Sequence, residues 1–596
     1  MGYLFNSGTG FLANAVTTAS NVRSYLINKG GYLVDTIRVG ISDFGSRVLD
    51  DGGTIEAYDD ASASYRDVTK TLYDQASIVL FPSGYKDNLL YSHKPTDGSG
   101  DFSYTRGTDT GTVIGEDGYI KKERVNLLTQ SNTFSSSDWS NERLVSPIQT
   151  GFTGYDGSSD AWKLIPTTDN NTHRISQLDS QTGVKTFSVY LKQAGYSKVR
   201  ILAFQGNNNI WEFDLDAGVT IGNPSYAIEY KATNVGNDWW RLQLTTQEAH
   251  TAYYVFVLDD LGNTTFAGDG VKGILIQDVQ LEQGLVATDY IETTTAPVYA
   301  GITDNIPRLD YSTGTACLLL EPQRTNYIAS SEYISNWQLI GSVTATANYG
   351  ISPEGVKNST RLVFTGTSQE ARKAATSVTG CVASIYVKGT SGETIKFGST
   401  GSEELFTLNG SWQRIDKYNS SSPTNITINT YSGATAREIE VWGAQVEQGS
   451  YPTSYIPTYS SSQTRAADLA SHTGTILSDD DFTLFIHTKA PAVTSGSDKF
   501  FVGVGYLNLD GSGNLRFRYD ATNYTSSEID VEQEFKFLIR KDSTDMKIYI
   551  NGQLRHTITV LPTGLKNIDL EWGLTRKFMT YTTALDTAVC ESLTAL

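Results

Sequence analysis

Cysteine, long apolar runs and clustered positive charge are all scarce in this sequence of 596 residues. The three cysteines, Cys317, Cys381 and Cys590, are far apart and odd in number, which excludes a disulfide scaffold and a cysteine-based zinc site. No apolar stretch reaches the length of a membrane-spanning helix. The formal net charge is −19 and the sequence contains no basic stripe, so a nucleic-acid partner is not expected.

Signatures of catalysis are missing as well. The six histidines lack the spacing of a metal-ligand set, and neither a nucleophile elbow nor a phosphate-binding loop occurs. We therefore expect no catalytic residues, no metal centre and no cofactor. Two glycine-rich turns, at residues 97–101 and 510–514, offer oxygen atoms that suit calcium, but neither matches an EF-hand loop. Ordinary turns use the same residues, so both interpretations stay open.

What the chain has in quantity is aromatic and turn-forming residues, with 34 Tyr, 23 Phe and 54 Gly. Short alternating segments, such as 185–192 and 253–258, are separated by Gly, Asn, Asp and Ser clusters, which is typical of strands and turns. The length exceeds what one hydrophobic core supports. The sequence thus predicts a mainly β protein of several domains.

The first 80 residues have a different pattern. Apolar residues at helical spacing predict one helix over 12–26 and a second from Thr54 to Leu72. The second helix has the three-four spacing of a coiled-coil seam, but two heptads do not establish one. It either packs on its own domain or serves for self-association or docking. A small, partly helical N-terminal region is expected.

One phrase occurs twice in the chain. Arg124 and Trp139 in ERVNLLTQSNTFSSSDW correspond to Arg324 and Trp337 in EPQRTNYIASSEYISNW. The predicted strands SVYLK and SIYVK and the predicted turns LEQG and VEQG follow in the same order in the two copies. The segment NDWWRLQL also corresponds to GSWQRIDKY, with Trp412 aligned to Trp240. A repeat of this size is a whole domain, so the pattern predicts tandem β-sandwiches. Between the repeated strand and the repeated turn the offset falls from 196 to 165, so the first copy carries extra residues there.

The repeated arginine and glutamate suggest a structural pair in each copy. A sandwich closes by bringing its first and last strands together. We therefore predict that Arg124 pairs with Glu282 and that Arg324 pairs with Glu447. Such a partly buried pair would fix strand register more than it adds net stability.

Glycan binding needs exposed aromatic faces with polar neighbours. The candidates are Trp211, and Trp239 beside Asn237 and Asp238. Packing in the core is the alternative explanation for both tryptophans. A glycosidase would need two carboxylates facing a cleft, and a single sequence does not nominate them.

Two resemblances can be read from longer stretches. The C-terminal part of the chain resembles a laminin-G or concanavalin-like jelly roll. The stretches that carry this resemblance are FTLFIHTK, FKFLIRKDSTDMKIYINGQLRHTITV and LEWGLTRKFMTYTTALDTAVCESLTAL. Three other stretches resemble structural proteins of tailed bacteriophages, especially those of Bacteroidetes hosts. They are ASIVLFPSGYKDNLLYSHKPTDGSGDFSYTRGTDTGTVIGEDGYI, PRLDYSTGTACLLLEPQRTN and SSSQTRAAD. The second resemblance implies a location on the virion exterior and carbohydrate-binding-like jelly rolls, without indicating a ligand or a virion part.

Together these observations predict a partly helical docking region at 1–80, a β linker at 81–123, jelly-roll modules at 124–300 and 301–468, and a concanavalin-like domain at 469–596. The expected function is a non-enzymatic virion protein of the tail fibre, collar or head fibre type that attaches to host-surface glycans. Its expected partners are other virion proteins, further copies of itself and glycans, without membrane insertion. The alternatives are a purely structural ring or decoration subunit and a tailspike-like glycan hydrolase.

Overall fold

The structure is a computed structural model. It describes residues 102–595 with short gaps at 109, 205–208, 226, 248–249, 303–306, 478–480, 491–498, 504, 511, 520, 528, 560 and 562–565; before residue 102 it describes short strands only. The protein is nearly all β, with 52% of residues in strands and 2% in helices, which confirms the predicted fold class of tandem β-sandwiches.

The N-terminal region contains antiparallel strands. The predicted helix from Thr54 is wrong where it can be checked, because Thr54–Asp59 is a strand that pairs with Ser46–Val48. Residues 13–25, most of the other predicted helix, lie outside the described residues. The described strands before residue 102 are Leu4–Asn6, Gly10–Leu12, Leu26–Lys29, Tyr32–Asp35, Ser46–Val48, Thr54–Asp59, Ser64–Tyr65, Val68–Thr69, Ile78–Leu80, Tyr85–Lys86 and Leu89–Leu90.

Module 1 is a sandwich of two antiparallel sheets. The first, sheet A, has the spatial order Ser140–Glu142, Asn171–Leu178, Ala252–Val257, Lys198–Phe204, Asn209–Asp214 and Val219–Ser225, with Thr265–Phe266 beside the second strand. The second, sheet B, has the order Gln149–Phe152, Ala161–Leu164, Gly273–Gln283, Lys185–Ala194, Trp239–Thr246 and Glu229–Gly236.

Module 2 repeats this topology with one strand fewer at one edge of each sheet and, among its described residues, without a counterpart of Thr265–Phe266. Its sheet A runs Gln338–Ile340, Glu370–Ala374, Asn425–Asn429, Thr394–Ser399 and Ser402–Thr407. Its sheet B runs Val343–Thr346, Thr360–Phe364, Glu438–Gln448, Cys381–Gly389 and Gln413–Asn419. A 3-10 turn, Ile334–Asn336, precedes the first strand. The extra residues predicted for the first copy form the edge strands Val219–Ser225 and Glu229–Gly236.

The two modules share even an irregularity of the sheet. The pairing of the SVYLK strand slips between Ser188 and Tyr190, and that of the SIYVK strand slips between Ser384 and Tyr386. Opposite the slip, Asp278 in module 1 and Gly443 in module 2 both have positive φ, 50° and 64°. A β-bulge needs such a residue, so the duplicated fold kept the bulge while its residue type changed.

The asparagine of the repeated phrase explains why the phrase recurs. Asn326 is fully buried, and its Nδ2 donates to the carbonyl oxygens of Ala444 (3.1 Å) and Ile456 (2.9 Å). Its Oδ1 accepts hydrogen bonds from the backbone amides of Ile328 and Val446, both at 3.1 Å. In module 1, Asn126 makes the equivalent four bonds, to Val279, Ile291, Leu128 and Leu281. One side chain thus joins the first strand, the last strand and the tail of each module.

Substituting Asn326→Ala should destabilise the protein by roughly 3 kcal/mol or more, because four buried backbone groups lose their partner and each unsatisfied group costs about 1–3 kcal/mol. Urea unfolding monitored by tryptophan fluorescence measures this loss. The exposed Asn409 provides the control, since Asn409→Ala should change stability by less than about 0.5 kcal/mol. Equal stability of the two variants would contradict the role given to Asn326.

The C-terminal sandwich has two larger sheets. One runs Ser103–Thr105, Leu469–Leu477, Lys566–Leu570, Lys499–Val502, Tyr506–Leu509, Leu515–Tyr519 and Thr522–Ser526. The other runs Leu309–Asp310, Cys317–Leu320, Gly573–Tyr581, Phe482–Lys489, Phe535–Lys541, Met546–Ile550 and Gln553–Ile558, and Ile78–Leu80 also pairs with Gly573–Tyr581. Helix Thr587–Thr594 packs on the second sheet. The predicted Asn551-Gly552 hairpin is confirmed, with φ of 48° and 79°.

These sheets do not respect the predicted boundaries at 81–123, 301–468 and 469–596. Ser103–Thr105 of the linker and Cys317–Leu320 from the segment between the modules are strands of the C-terminal sandwich. Leu318 and Leu320 are fully buried in its core. The boundaries were wrong because strand pairing between distant segments leaves no mark in the local sequence pattern.

A buried ionic network, the junction, holds the C-terminal sandwich against module 2. Arg308 Nη1 lies 2.8 Å from Glu321 Oε2, and Arg308 Nη2 pairs with Asp468. Arg465 Nη1 also lies 2.8 Å from Glu321 Oε2, and Arg106 Nη1 lies 3.5 Å from Asp468 Oδ1. All five side chains are at most 3% exposed. The motifs PRLDYSTG, EPQRTN and SSSQTRAAD thus supply four members of a structural contact.

No helix among the described residues is long and apolar enough to cross a membrane.

Candidate functional site

The tryptophans predicted to stack on sugars are buried. Trp211 is 1% exposed in the core between the sheets of module 1, and its Nε1 donates to Thr220 Oγ1 at 3.0 Å. Trp239 is also 1% exposed and packs with Tyr190 and Leu275 on the outer side of sheet B. The prediction of a sugar-stacking role is therefore wrong for both, because neither ring face is accessible.

Asn237 and Asp238, the predicted polar neighbours, form the turn that leads into the strand of Trp239. Both have positive φ, 52° and 63°, which Asn and Asp tolerate well. Lys192 Nζ donates to the carbonyl oxygen of Asn237 at 2.6 Å and lies 3.8 Å from the exposed carboxylate of Asp238. These contacts show that Lys192 stabilises the turn of Asn237 and Asp238. The ring of Trp239 beside this turn is buried and offers no surface to a sugar.

The strand register also corrects the alignment of the tryptophans. Arg241 lies opposite Tyr190, and Arg414 lies opposite Tyr386 at the equivalent position. Trp412 therefore corresponds to Trp239, two residues before the arginine, and not to Trp240.

The predicted arginine–glutamate pairs differ between the copies. Arg324 Nε lies 4.0 Å from Glu447 Oε2, at the limit of an ion pair. The closer partner of Glu447 is Thr453, whose backbone amide and hydroxyl donate at 2.7 and 2.6 Å.

In module 1 the hydrogen bonds of Glu282 come from Thr288, with the amide at 2.8 Å. Arg124 and Glu282 line the same small cavity of about 30 Å³ between the modules. Burial raises the pKa of Glu282 and of Glu447 above the ordinary value, although hydrogen bonds and nearby arginines oppose the shift.

Two arginines that were not predicted perform the closing role in both copies. Arg241 Nη2 donates to Ser188 Oγ at 3.3 Å and to the carbonyl oxygen of Thr288. Arg414 donates to Ser384 Oγ at 2.9 Å and to the carbonyl oxygen of Thr453 at 2.6 Å. The signal was present in the sequence, since both arginines follow the aligned tryptophans in WWR and WQR.

A different surface of module 1 gathers exposed aromatic and charged groups. Alternate residues of five neighbouring strands of sheet A point away from the core, and these strands are Ser140–Glu142, Asn171–Leu178, Ala252–Val257, Lys198–Phe204 and Asn209–Asp214. We call this surface the aromatic face, and its members are Glu142, Arg174, Arg200, Phe204, Glu212, Tyr254 and Phe256.

Three rings follow one another along the aromatic face. Phe204 is 46% exposed and meets Tyr254 edge to face, with ring centroids 6.0 Å apart. Tyr254 is half-buried and lies 6.0 Å from Phe256, which is 4% exposed and supports the row from beneath without offering a ring face of its own. The Tyr254 hydroxyl has no hydrogen bond to another described residue, so its polar end is available to a ligand. The row thus offers one open ring, Phe204, and one open hydroxyl.

Two arginine–glutamate pairs border these rings. The guanidinium of Arg174 lies 4.6 Å from the centroid of Tyr254 and 5.2 Å from that of Phe256, and its Nε donates to Glu142 Oε2 at 2.7 Å. Arg200 Nε donates to Glu212 Oε1, also at 2.7 Å. In each pair Nε and Nη2 contact a single carboxylate oxygen, and this contact together with the cation–π stacking fixes the guanidinium planes beside the rings.

The electrostatics of the first pair favour an ionised carboxylate. Burial alone would raise the pKa of Glu142, but hydrogen bonds from Arg174 and Thr172 outweigh it and lower the pKa below the ordinary value. Glu142 is therefore charged at neutral pH and acts as a hydrogen-bond acceptor.

Module 2 lacks this arrangement on the equivalent surface. Register matching places Asn429 where module 1 has Phe256, Thr427 where it has Tyr254, and Gly398 where it has Leu202. Asn429 and Thr427 are fully buried there, and Glu370 takes hydrogen bonds from Arg372 and from Tyr431 Oη, the latter at 2.5 Å. The shared fold does not require aromatic residues at these positions, so they are a property of module 1.

The calcium interpretation finds no support at the turn that the structure describes. Asp510 Oδ1 accepts hydrogen bonds from the amides of Ser512 (2.8 Å) and Asn514 (2.9 Å), as in an ordinary Asx turn. Residues 97–101 lie outside the described residues. Within the described part of the chain, no group of three or more His, Cys, Asp or Glu side chains is placed to hold a metal ion.

No family model and no curated protein matches the chain. It is similar to domain 4 of AbnA, an extracellular GH43 arabinanase from Geobacillus stearothermophilus solved with arabinotriose, at 19% identity and a TM-score of 0.19, covering 22% of this chain and 73% of that one. It is also similar to the tandem CBM51 modules of a family 98 glycoside hydrolase from Streptococcus pneumoniae, at 10% identity and a TM-score of 0.18, covering 58% and 99%.

A third similar structure is an exo-β-1,3-galactanase from Phanerochaete chrysosporium solved with β-1,3-galactotriose, at 12% identity and a TM-score of 0.16, covering 51% of this chain and 69% of that one. At such TM-scores the likenesses carry no argument about function. The functional conclusion has to come from the residues of the aromatic face.

Proposed function

We propose that this chain is a non-enzymatic structural protein on the exterior of a tailed bacteriophage, and that it binds host-surface glycans through the aromatic face of module 1. The observation that carries the binding proposal is the row of Phe204, Tyr254 and Phe256 beside Arg174 and Arg200, present in one copy of a duplicated fold and absent from the other.

The chemistry of the aromatic face suits a sugar ring. The apolar face of a pyranose can stack on Phe204, while its hydroxyls find donors in Arg174 and Arg200 and acceptors in Glu142 and Glu212. The two arginines and two glutamates sum to zero charge, so the face has no electrostatic preference for a charged macromolecule. A neutral or weakly charged glycan is the ligand class that fits best.

The state of the carboxylates favours binding over hydrolysis at this face. A glycosidase needs one carboxyl group whose pKa is raised so that it can donate a proton. Here the pKa of Glu142 is lowered, and Glu212 is paired with Arg200, with Arg200 Nη2 2.5 Å from Glu212 Oε1. Both groups are therefore acceptors.

The phage setting rests on the motif resemblance and on how those motifs are used. The motifs that resemble phage proteins supply four residues of the junction, which are Arg308, Glu321, Arg465 and Asp468. Such a contact is expected of a virion part that must hold its modules in a fixed arrangement. Several copies on one particle would turn weak contacts at the aromatic face into useful avidity. Attachment through residues 1–80 and association with other virion proteins belong to the same proposal.

The substitution Phe204→Ala should weaken glycan binding about tenfold, because losing one stacking ring costs about 1.4 kcal/mol. A glycan array of bacterial surface polysaccharides identifies the ligand for the full-length protein, and titration calorimetry with that ligand then gives the affinity ratio. Leu405→Ala is the matched control, since Leu405 is equally exposed (46%) on sheet A of module 2.

Unchanged affinity of Phe204→Ala for a glycan that the protein binds would exclude the aromatic face as the site. Binding to no glycan on the array would favour the purely structural ring or decoration subunit. Release of reducing sugar from host capsule would favour the hydrolase.

A further inference from the structure

A buried polar cluster fastens the linker to module 2. Lys122 lies between strands Ile120–Lys121 and Arg124–Asn126, and it is 8% exposed. Its Nζ is 2.7 Å from Glu332 Oε1 and 2.9 Å from Glu354 Oε2, and both glutamates are at most 4% exposed. Lys122 of the linker is thus buried between two carboxylates of module 2.

A carboxamide shares both of these carboxylates with the lysine. Asn358 is 1% exposed, and its Nδ2 lies 3.0 Å from Glu354 Oε2 and 3.4 Å from Glu332 Oε2. Lys122 Nζ and Asn358 Nδ2 therefore contact the same oxygen, Glu354 Oε2. Two acceptors of the cluster, Asn358 Oδ1 and Glu354 Oε1, have no hydrogen-bond partner among the described residues.

The charge of the cluster requires one additional proton. One ammonium faces two buried carboxylates, and an uncompensated buried charge is costly. Burial raises the pKa of Glu332, and the neighbouring Glu354 adds to the shift while Lys122 opposes it. Burial alone would lower the pKa of Lys122, but the same two glutamates outweigh it and raise the pKa, so the resting cluster holds an ammonium. The neutral amine forms only when Nζ passes a proton to the second carboxylate.

We propose that Lys122 and Asn358 react to form an amide crosslink, with Glu332 and Glu354 moving the protons. The neutral Nζ attacks Cγ of Asn358, and a protonated carboxyl group beside Nδ2 supplies the proton that the leaving nitrogen needs. A bond forms between Nζ and Cγ, the bond between Cγ and Nδ2 breaks, and Nδ2 leaves as ammonia after gaining one proton, which the loss of one proton from Nζ to a carboxylate balances. The step is redox-neutral and needs no co-reactant.

The surroundings of the cluster are compatible with this reaction. Lys122, Glu332, Glu354 and Asn358 all line the cavity of about 30 Å³ between the modules, which has room for one or two small molecules such as ammonia. The ring of Tyr459 lies beside Lys122, with its centroid 5.8 Å from Nζ. The ring covers one side of the amine, and an aminolysis is favoured where cover limits the access of competing water.

Module 1 provides an internal comparison. Counting back from the paired strands places Asp156 and Asp160 at the positions of Glu354 and Asn358, and Asn132 follows Ser131 as Glu332 follows the equivalent Ser331. There the amide of Gln277 donates to Asp156 (3.3 Å) and Asp160 (2.8 Å), in the place that Lys122 takes in module 2. Without an amine nucleophile, this site should form no crosslink.

Intact mass spectrometry of the full-length protein tests the proposal. The mass should fall below the sequence value by one ammonia, and digestion should yield a branched peptide joining the segments around Lys122 and Asn358. Lys122→Met and Asn358→Ala should each restore the sequence mass, and Glu354→Gln should slow formation of the crosslink at least tenfold. A matched control is Asp160→Asn, which places a carboxamide at the equivalent site of module 1 and should leave the single deficit unchanged.

A wild-type mass equal to the sequence value, with separate Lys122 and Asn358 peptides, overturns the proposal. So does a mass deficit that persists in Asn358→Ala. If Lys122→Met does not fold, peptide mapping of the wild-type protein still decides the question. None of these outcomes depends on whether the aromatic face binds glycan.

Discussion

Residues 469–596 expressed alone should not fold, although they look like a complete domain in the sequence. Their sheets are completed by Ser103–Thr105, Cys317–Leu320 and Ile78–Leu80. Phe102, Tyr104, Leu318 and Leu320, all at most 9% exposed, belong to the same core. Removing four such side chains forfeits roughly 6–12 kcal/mol of burial, which is as large as the whole stability of a typical domain.

Circular dichroism and thermal unfolding of the fragment measure this directly. The matched control is the full chain with module 1, residues 124–300, excised. Arg124–Asn126 pairs with Val298–Ala300, so the two ends of the excised module are neighbours and can be joined without strain. We expect the excised chain to unfold cooperatively and the fragment to show no transition. A cooperative transition in the isolated fragment would show that the distant strands are dispensable.

The second large effect is expected at the junction. Glu321→Gln should lower the free energy of unfolding by about 3–5 kcal/mol at neutral pH, because it leaves the buried Arg465 without its paired carboxylate and Arg308 with Asp468 alone. Glu321 Oε2 lies 2.8 Å from both Arg308 Nη1 and Arg465 Nη1, and its Oε1 accepts from the backbone amide of Ser454 at 2.7 Å. Urea unfolding of wild type and variant gives the difference.

The pH dependence of this difference is a separate check. Burial alone would raise the pKa of Glu321, but Arg465 and Arg308 outweigh it and lower the pKa from 4.5 to about 2. A carboxyl group with a lowered pKa stabilises the fold above its unfolded pKa and loses that contribution as the pH falls. The advantage of wild type over Glu321→Gln should therefore be complete above about pH 4.5 and shrink steadily toward pH 2.

A surface pair serves as the control for the junction. Lys417 Nζ lies 2.7 Å from Glu404 Oε2, but the side chain of Glu404 is 53% exposed. Glu404→Gln should cost no more than about 1 kcal/mol, since water screens exposed ion pairs. Equal losses for Glu321→Gln and Glu404→Gln would show that the junction contributes nothing beyond an exposed contact.

The location of the binding candidate was not predictable from residue type. Tryptophan with polar neighbours suits sugar binding, which makes Trp211 and Trp239 the candidates in the sequence, yet both are 1% exposed in the structure. The alternation of Tyr254 and Phe256 with Val255 and Val257 was visible in the sequence. Which side of that strand faces solvent depends on the partner sheet, and a single strand does not report it. Phe204 joins the face only because its strand pairs with Ala252–Val257.

The sequence by itself determined the β class, the duplication, the extra segment of the first copy and the Asn551-Gly552 turn. These features depend on local sequence patterns: the alternation of apolar and polar residues, the repeated segments, and residues that tolerate positive φ. Tertiary structure alone decided which strands complete the C-terminal sandwich, that Thr54–Asp59 is a strand, and that Lys122 meets Asn358. Such contacts join residues far apart in the chain, and their energy comes from burying surfaces together, which no local pattern encodes.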